Sequence, residues 1–156
     1  MTSSTPRQPI LLSDDQVIER FHHAGVRVTR QRTLIYRLLV SLDTHPTAEE
    51  LLTTVRHQDE RLSLATVYNT LDTLVENGLV QRIAGSISGG ACRFEADTSE
   101  HVHMVMPDGR VRDVPMDLSA QIMNSIPADA LEQLCDRMGV SVQSIKIDLV
   151  CSQTGE

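Results

Sequence analysis

The chain has 156 residues, enough for one compact domain or two small ones, and its 40% hydrophobic content is ordinary for a globular protein. Only 3% of the residues are aromatic and none is Trp, so the core must rest on Leu, Ile, Val and Met. No apolar run reaches the ~18 residues of a membrane span, and no charged start is followed by an apolar stretch, so we expect neither membrane insertion nor secretion.

The net charge of −7 would argue against a DNA-binding protein if the charge were evenly spread. Residues 1–82 hold nine Arg and ten acidic residues, whereas residues 83–156 hold five basic and eleven acidic ones. A local basic face can still bind phosphate, because charges act within a Debye length of about 8 Å. Five basic residues lie in a stretch of the first half without any acidic residue: Arg20, Arg27, Arg30, Arg32 and Arg37.

The first half begins with residues 1–12, which show no periodicity and are predicted to form a flexible arm. Three helices are predicted after this arm from their N-terminal signals. Ser13 and Thr47 are each followed three residues later by Gln or Glu, the form of a capping box, and Thr29 can cap the helix between them. The predicted spans are residues 14–24, ended by Gly25, residues 30–42, and Thr47 to about Arg56.

A fourth helix is predicted from Leu64 to Asn77, after Ser63 and before Gly78. Its apolar residues recur at helical spacing and are expected to face inward, with Tyr68 near the N-terminal end of the other face. The inward residues are Val67, Leu71, Leu74 and Val75, and the outer polar face holds Thr66, Asn69, Thr70 and Thr73.

Two short strands, Leu79–Ala84 and Cys92–Glu95, are predicted next, joined by the Gly/Ser-rich turn Gly85–Gly90. Helices followed by such a hairpin form a winged helix-turn-helix. In that fold the last helix presents its N-terminal side chains to base edges in the major groove. Winged helices also serve as protein-binding modules.

The second half is predicted as a hairpin, two helices and a last strand. The hairpin turns at Pro107-Asp108-Gly109, and we expect a small antiparallel sheet with helices on one face, suited to dimerisation. The spans are Val102–Met106, Val111–Val114, Asp117–Asn124, Ala128–Met138 and residues 140–150. The predicted fold class is α+β: a winged helix-turn-helix domain over 13–95, a hinge over 96–101 and a small α/β dimerisation domain over 102–156.

His101 and His103 stand at the start of a predicted strand, so both imidazoles point to the same side. Glu95 lies just before them, Asp113 is on the adjacent strand, and His45 is in a loop of the first half. Three imidazoles and two carboxylates suit a divalent zinc, iron, manganese or cobalt ion. Ligands from both halves would lock the halves together. Because protonated imidazole cannot bind a metal, affinity should weaken as the pH falls toward about 6.

Four segments of the chain resemble the ferric uptake regulator (Fur) family, and the resemblance runs from about residue 17 to 114. They are Gly25–Arg32 (GVRVTRQR), His45–Leu51 (HPTAEEL), Ser63–Leu71 (SLATVYNTL) and Asn77–Val80 (NGLV). The resemblance implies a metal-dependent DNA-binding repressor whose regulatory metal site lies between two domains.

Carried over by position, the family's regulatory site falls on His45, Glu95, His101, His103 and Asp113. The family's DNA contacts fall on Arg27, which enters the minor groove, and on Tyr68, Asn69 and Thr66 of the recognition helix. We also assign Arg32 and Ser63 to the DNA-binding surface. Classical iron regulators carry Arg after the Tyr, so Asn69 is closer to the peroxide-sensing, zinc-sensing and iron-response branches.

Two other family sites differ in this chain. The structural zinc normally uses two C-x-x-C pairs, but the first region reads Met106–Gly109 (MPDG) and the second keeps only Cys151. A third site has lost its expected His or acidic ligands, with Glu100, Val102, Met138 and Gln143 at those positions. We therefore expect one divalent ion per subunit and no four-cysteine zinc. In lacking these cysteines, the chain resembles the iron-response branch of the family, which senses haem.

The sequence thus predicts a cytoplasmic homodimeric repressor that binds a palindromic operator and controls metal homeostasis or oxidative-stress genes. The odd number of widely spaced cysteines (Cys92, Cys135 and Cys151) fits a reducing compartment. One alternative is a haem-responsive or metal-independent winged-helix regulator, which would bind DNA without metal. Another is a mononuclear metalloenzyme using His101, His103 and Asp113. Against the enzyme, no Gly-rich phosphate loop or Ser/His/Asp set is present, and the chain lacks a large β-barrel to enclose substrate.

Overall fold

The computed structural model describes residues 11–42, 44–83 and 91–152. The chain forms two compact units, unit 1 up to Thr98 and unit 2 from Ser99. The predicted turn Gly85–Gly90 and residues 1–10 of the predicted arm lie outside the described residues. Among the described residues, no helix is long and apolar enough to cross a membrane.

Unit 1 contains four helices followed by two antiparallel strands. They are α1 (Asp14–His23), α2 (Arg30–Ser41), α3 (Ala48–Arg56), α4 (Leu64–Glu76), β1 (Gln81–Ile83) and β2 (Arg93–Glu95). The four helices end within a residue of their predicted bounds. Strand β1 begins later than predicted, because the backbone N–H groups of Leu79 and Val80 both donate to the Leu74 carbonyl and close the end of α4.

The helix starts follow from local side-chain chemistry. Ser13 and Thr47 form complete capping boxes, in which the cap side chain accepts from the third helical N–H and that residue's side chain accepts from the cap N–H. Thr29 and Ser63 cap α2 and α4 by accepting from the N–H groups of Arg32 and Thr66. These bonds satisfy orphan helix donors, which explains why the boundaries could be read from sequence.

The core of unit 1 joins all four helices and the hairpin. Phe21 of α1 and Tyr36 of α2 lie with ring centroids 5.4 Å apart, and both are almost fully buried. Leu12, which the sequence analysis assigned to the arm, is buried in this core, whereas Leu11 is 81% exposed. Other fully buried members are Val17, Ile35, Leu39, Leu51, Val55, Leu62, Val67, Leu71 and Leu74.

One residue of α4 was assigned to the wrong face. Thr70 was predicted on the outer polar face but is only 4% exposed. It lies three residues after Val67 and four before Leu74, so helical geometry places it on the same side as these two buried residues. The outer face of α4 therefore holds Tyr68 and Asn69, with Thr66 and Thr73 half-buried beside them.

Unit 2 is a three-stranded sheet with two helices. Its elements are β3 (Val102–Val105), β4 (Val111–Asp113), α5 (Met116–Asn124), α6 (Ala128–Met138) and β5 (Ile147–Val150), and the strand order is β4-β3-β5. The predicted purely antiparallel sheet is wrong: β3 pairs antiparallel with β4 but parallel with β5. The connection between β4 and β5 contains both helices, and a crossover of this length permits parallel pairing.

The last strand is much shorter than its predicted span of residues 140–150. Strand β3 offers only four partners, and they pair with Ile147–Val150. Within the described part of the chain, residues 140–146 pair with no strand, so apolar alternation alone does not make them one. In β3 itself, Val102, His103 and Val105 are all buried, so both faces of the central strand are covered.

We predict that Leu71→Ala lowers the free energy of unfolding by about 2–5 kcal/mol, because it leaves a cavity in a fully buried site. Leu11→Ala removes the same atoms from an exposed site and should change the free energy of unfolding by less than about 0.5 kcal/mol. Urea denaturation followed by circular dichroism measures both. Equal losses in the two variants would contradict the assignment of the core.

Candidate metal centre and DNA-binding surface

Two imidazoles and a carboxylate meet at one point in unit 2. His103 of β3 is paired directly with Asp113 of β4, and His101 lies two residues earlier on the same side of the chain. The Asp113 Oδ1 atom lies 3.2 Å from Nε2 of His101 and 3.6 Å from Nε2 of His103. The ligand atoms of all three lie within 4.8 Å of one another, and both histidines are buried. The structure therefore brings these three predicted ligands together.

The other nitrogen of each imidazole lies near a different oxygen atom. Nδ1 of His101 lies 2.9 Å from the carbonyl oxygen of Ser99, and Nδ1 of His103 lies 3.4 Å from Oδ1 of Asp148. A ring whose Nδ1–H donates to an oxygen keeps its lone pair on Nε2. Both lone pairs are then directed toward Asp113. Protein metal sites commonly have this arrangement, in which an outer acceptor fixes the tautomer of a ligating histidine.

The donor set fits a divalent cation. Two Nε2 lone pairs and a carboxylate oxygen within contact distance place three electron-pair donors around one point, and a cation there would offset their mutual repulsion. Imidazole and carboxylate together suit zinc, iron or manganese. A bound ion would supply positive charge and fixed coordination directions to these side chains.

Unit 1 carries a second pair of predicted ligands. His45 and Glu95 are buried, and Nε2 of His45 lies 3.3 Å from Oε1 of Glu95. The other carboxylate oxygen of Glu95 accepts a 3.0 Å hydrogen bond from the Gln81 side chain across the β1–β2 ladder, in which Gln81 and Glu95 are direct partners. Glu95 is therefore held at a fixed orientation at the end of β2.

The loop that carries His45 is attached to strand β2. His45 has a φ of 46°, in the left-handed region that few residues other than glycine adopt. Arg93 of β2 donates to the His45 carbonyl at 2.9 Å and to the Glu50 carboxylate at 2.9 Å. The N–H of Phe94 donates to the Pro46 carbonyl, also in this loop. These bonds hold the strained loop against the strand that ends in Glu95.

The N-terminal half of α4 presents Tyr68 and Asn69 to solvent, and Tyr68 is 38% exposed. The Tyr68 hydroxyl donates a 2.9 Å hydrogen bond to the Glu49 carboxylate on α3. This bond is the largest cause of a raised pKa for Tyr68. The pKa of Glu49 is lowered, first by a hydrogen bond from its own backbone and then by the one from Tyr68. The ring is thus fixed in an exposed position by an acidic neighbour.

The remaining predicted DNA-binding residues lie in unit 1 but differ in their surroundings. Arg27 is exposed, whereas Arg32 is half-buried and its guanidinium donates to the Arg27 carbonyl and, at 3.5 Å, to Thr73 on α4. Ser63 and Thr66 hydrogen-bond to each other at the start of α4. Ser63 therefore serves as the helix cap, and Arg32 has a structural role that the sequence did not predict.

Cys92, three residues before Glu95, directs its thiol to backbone carbonyls. The Sγ atom lies 3.7 Å from the Ile83 oxygen and 3.6 Å from the Arg93 oxygen. Burial raises the pKa of the Cys92 thiol. A raised pKa disfavours the thiolate, which is the form that binds metals and reacts with oxidants.

Comparison with known proteins places this geometry in context. The profile of the ferric uptake regulator family matches residues 23–149. The ferric uptake regulation protein of Brucella abortus is 30% identical over 137 residues, which are 86% of this chain and 90% of that protein. The peroxide-responsive repressor PerR of Staphylococcus aureus is 34% identical over 91 residues, 58% of this chain and 60% of that protein. The structure of the ferric uptake regulator from Pseudomonas aeruginosa with manganese is 28% identical, with a TM-score of 0.67 over 88% of this chain and 98% of that one.

The chain combines a winged helix-turn-helix unit with a set of imidazoles and carboxylates. Together with its relatives, these features identify it as a metal-responsive, DNA-binding transcriptional regulator. The family profile covers most of the chain, and relatives at 30% identity match along nearly their whole length. The chain belongs to the ferric uptake regulator family.

Several residues that support these sites were missed by sequence reasoning. Asp148, Gln81 and Arg93 each hold a predicted ligand or its loop, and Glu49 holds Tyr68. The alternation of Asp148 with Ile147 and Leu149 placed it on a polar strand face, but its partner depends on the parallel register with β3. Sequence periodicity carries no information about strand register of this kind.

We predict that Glu49→Ala lowers the pKa of Tyr68 toward its ordinary value of about 10. The substitution removes the carboxylate that accepts a hydrogen bond from the Tyr68 hydroxyl and repels the phenolate. Phenolate absorbance during an alkaline titration measures this, and the chain has only one other tyrosine, the buried Tyr36. Tyr68→Phe identifies the Tyr68 absorbance signal. Glu76→Ala, which removes an exposed carboxylate from the helix that carries Tyr68, is the matched control. An unchanged Tyr68 titration in Glu49→Ala would contradict the hydrogen bond.

Proposed function

We propose that this regulator is a homodimeric repressor that binds a palindromic operator when each subunit holds one divalent ion. The observation that carries this proposal is the convergence of the His101 and His103 Nε2 atoms on Asp113 in a buried position. The family's regulators provide the context, because the relatives include a ferric uptake regulation protein and a peroxide-responsive repressor.

We assign His45 and Glu95 to the same ion as His101, His103 and Asp113. Each set is built from imidazole and carboxylate, and four of the five side chains are buried while Asp113 is half-buried. Three ligands leave coordination positions open, and two more nitrogen and oxygen donors would complete a five-ligand site for zinc, iron or manganese. With only three cysteines and no C-x-x-C pair, we expect no additional four-cysteine zinc.

The DNA-binding surface in this proposal consists of Arg27, Arg32, Ser63, Thr66, Tyr68 and Asn69. Tyr68 and Asn69 on the exposed face of α4 would contact base edges, since the N-terminal half of such a helix enters the major groove. Arg27 is exposed and has a charge that suits phosphate or the minor groove. Ser63 and Thr66 would contribute at the start of the helix.

Hydrogen bonds within unit 1 connect the proposed ligands to helix α4. Glu95 and Arg93 are on one strand, Arg93 binds the His45 loop and Glu50 of α3, and Glu49 of α3 binds Tyr68 of α4. His45 and Glu95 are thus fixed relative to the recognition helix. Their ligation in common with the ligands of unit 2 would restrict the orientations of that helix, which favours DNA binding as a population shift.

Unit 2 supplies a face suited to dimerisation. Its helices, its edge strand and the segment between α6 and β5 expose large apolar side chains that a single copy leaves in water. They include Met116, Leu118, Leu134, Met138, Val140, Val142, Leu149 and Val150. A twofold dimer would present two recognition helices, so the operator would be palindromic. A repressor of this kind acts in the cytoplasm, where bacterial DNA lies.

We predict one divalent ion per subunit in the purified protein, measured by elemental analysis against protein concentration. Chelation should then weaken operator binding about 5–150-fold, the usual range for coupling between two sites. Fluorescence anisotropy with labelled operator, with and without chelator, measures the change, and adding the ion back should restore it. Metal-free protein that binds its operator with undiminished affinity would instead indicate a metal-independent regulator.

Replacing His101 and His103 by Ala together should abolish the metal dependence of operator binding, because two of the proposed ligands are lost. Circular dichroism should show that the variant remains folded. Tyr68→Ala and Arg27→Ala are the matched controls, since they should weaken DNA binding while one ion per subunit is retained. Wild-type regulation in the double variant would refute the metal assignment.

A further inference from the structure

Asp148 faces His103 from the neighbouring strand of unit 2. The two residues are direct partners in the parallel β3–β5 ladder, so their side chains leave the sheet on the same face. Oδ1 of Asp148 lies 3.4 Å from Nδ1 of His103. The contact is on the opposite side of the ring from Nε2, which faces Asp113 at 3.6 Å. The imidazole of His103 is therefore held between two carboxylates, one at each nitrogen.

We propose that Asp148 is a positioning residue for the metal ligand His103. Its carboxylate accepts a hydrogen bond from the Nδ1–H group and so selects the tautomer with the lone pair on Nε2. It also makes Nε2 a stronger electron-pair donor to the metal. The inference deepens the proposed function and rests on it, because it presumes that Nε2 of His103 binds the ion. Asp148 itself does not bind the ion in this proposal.

The two ligating imidazoles differ in their outer partners. His101 donates to the neutral Ser99 carbonyl in the segment just before it, whereas His103 has an ionisable partner on another strand. Asp148 lies on β5, at the edge of the described sheet, and its side chain is 32% exposed. The position of the carboxylate at Nδ1 therefore depends on the docking of β5 against β3. In this proposal, the docking of β5 against β3 sets how strongly His103 binds the metal.

The test compares Asp148→Ala, Asp148→Asn and His103→Ala in the full-length protein, with Co²⁺ as the probe. Asp136→Ala is the control, since it removes an exposed carboxylate of the same unit. We expect Asp148→Ala to bind Co²⁺ about 10–100-fold more weakly than wild type, with one ion per subunit and an unchanged visible absorption spectrum, because the directly bound atoms are the same. Asp148→Asn should lose less affinity, since the amide oxygen still accepts the Nδ1 proton.

A second readout needs no metal. Imidazole 1H–15N correlation spectra of the metal-free protein distinguish the two neutral tautomers of a histidine, and His103→Ala identifies the signal. Wild type and Asp148→Asn should show the Nδ1–H form of His103, and Asp148→Ala a mixture of both. A merely structural role for Asp148 would not change this signal in a folded variant.

The outcomes separate this inference from the proposed function. If His103→Ala keeps wild-type Co²⁺ affinity, the proposed metal site is wrong. If His103→Ala loses binding but Asp148→Ala matches both wild type and Asp136→Ala, only the positioning role is wrong. A changed absorption spectrum in Asp148→Ala would overturn that role too, by showing that Asp148 is itself a ligand.

Discussion

The interaction on which the candidate metal site depends is the convergence of two imidazole nitrogens on the Asp113 carboxylate. An oxygen atom near Nδ1 favours the tautomer with the lone pair on Nε2, and the Ser99 carbonyl and the Asp148 carboxylate lie near the Nδ1 atoms of His101 and His103. Strand β3 lies in the centre of its sheet, with Asp113 on one neighbouring strand and Asp148 on the other. The central position of β3 is therefore what allows one histidine to contact a carboxylate at each end.

Unit 1 uses a different means of fixing its side chains. Its helices begin at satisfied caps and share one apolar core, so α3, α4 and the hairpin form a rigid support. Arg93 then attaches the His45 loop to this support and offsets the strain of a positive φ with a hydrogen bond to the His45 carbonyl. The same support carries Glu49 and Tyr68, so the potential ligands of unit 1 and helix α4 are held on one framework.

The positions of the acidic residues explain how a chain with a net charge of −7 can bind DNA. The acidic excess belongs to the second half of the chain, and several acidic residues there and in the first half are used inside the structure. Glu95 faces His45, Glu50 binds Arg93, and Asp113 faces the two histidines of unit 2. Salt screens exposed charges beyond about a Debye length, so an acidic residue farther than that from a bound phosphate repels it little.

The sequence by itself determined the helices, their caps, the family and the residues proposed as ligands, because each depends on local order along the chain. Capping boxes span three residues, amphipathic stripes repeat every turn, and His101 and His103 share a side simply by being two residues apart in an extended segment. Tertiary structure alone decided the parallel pairing of β5, the short length of that strand, the burial of Leu12, and the partners Asp148, Gln81 and Arg93. These features depend on which strands lie side by side and in what register, and that is set by packing between segments far apart in the sequence.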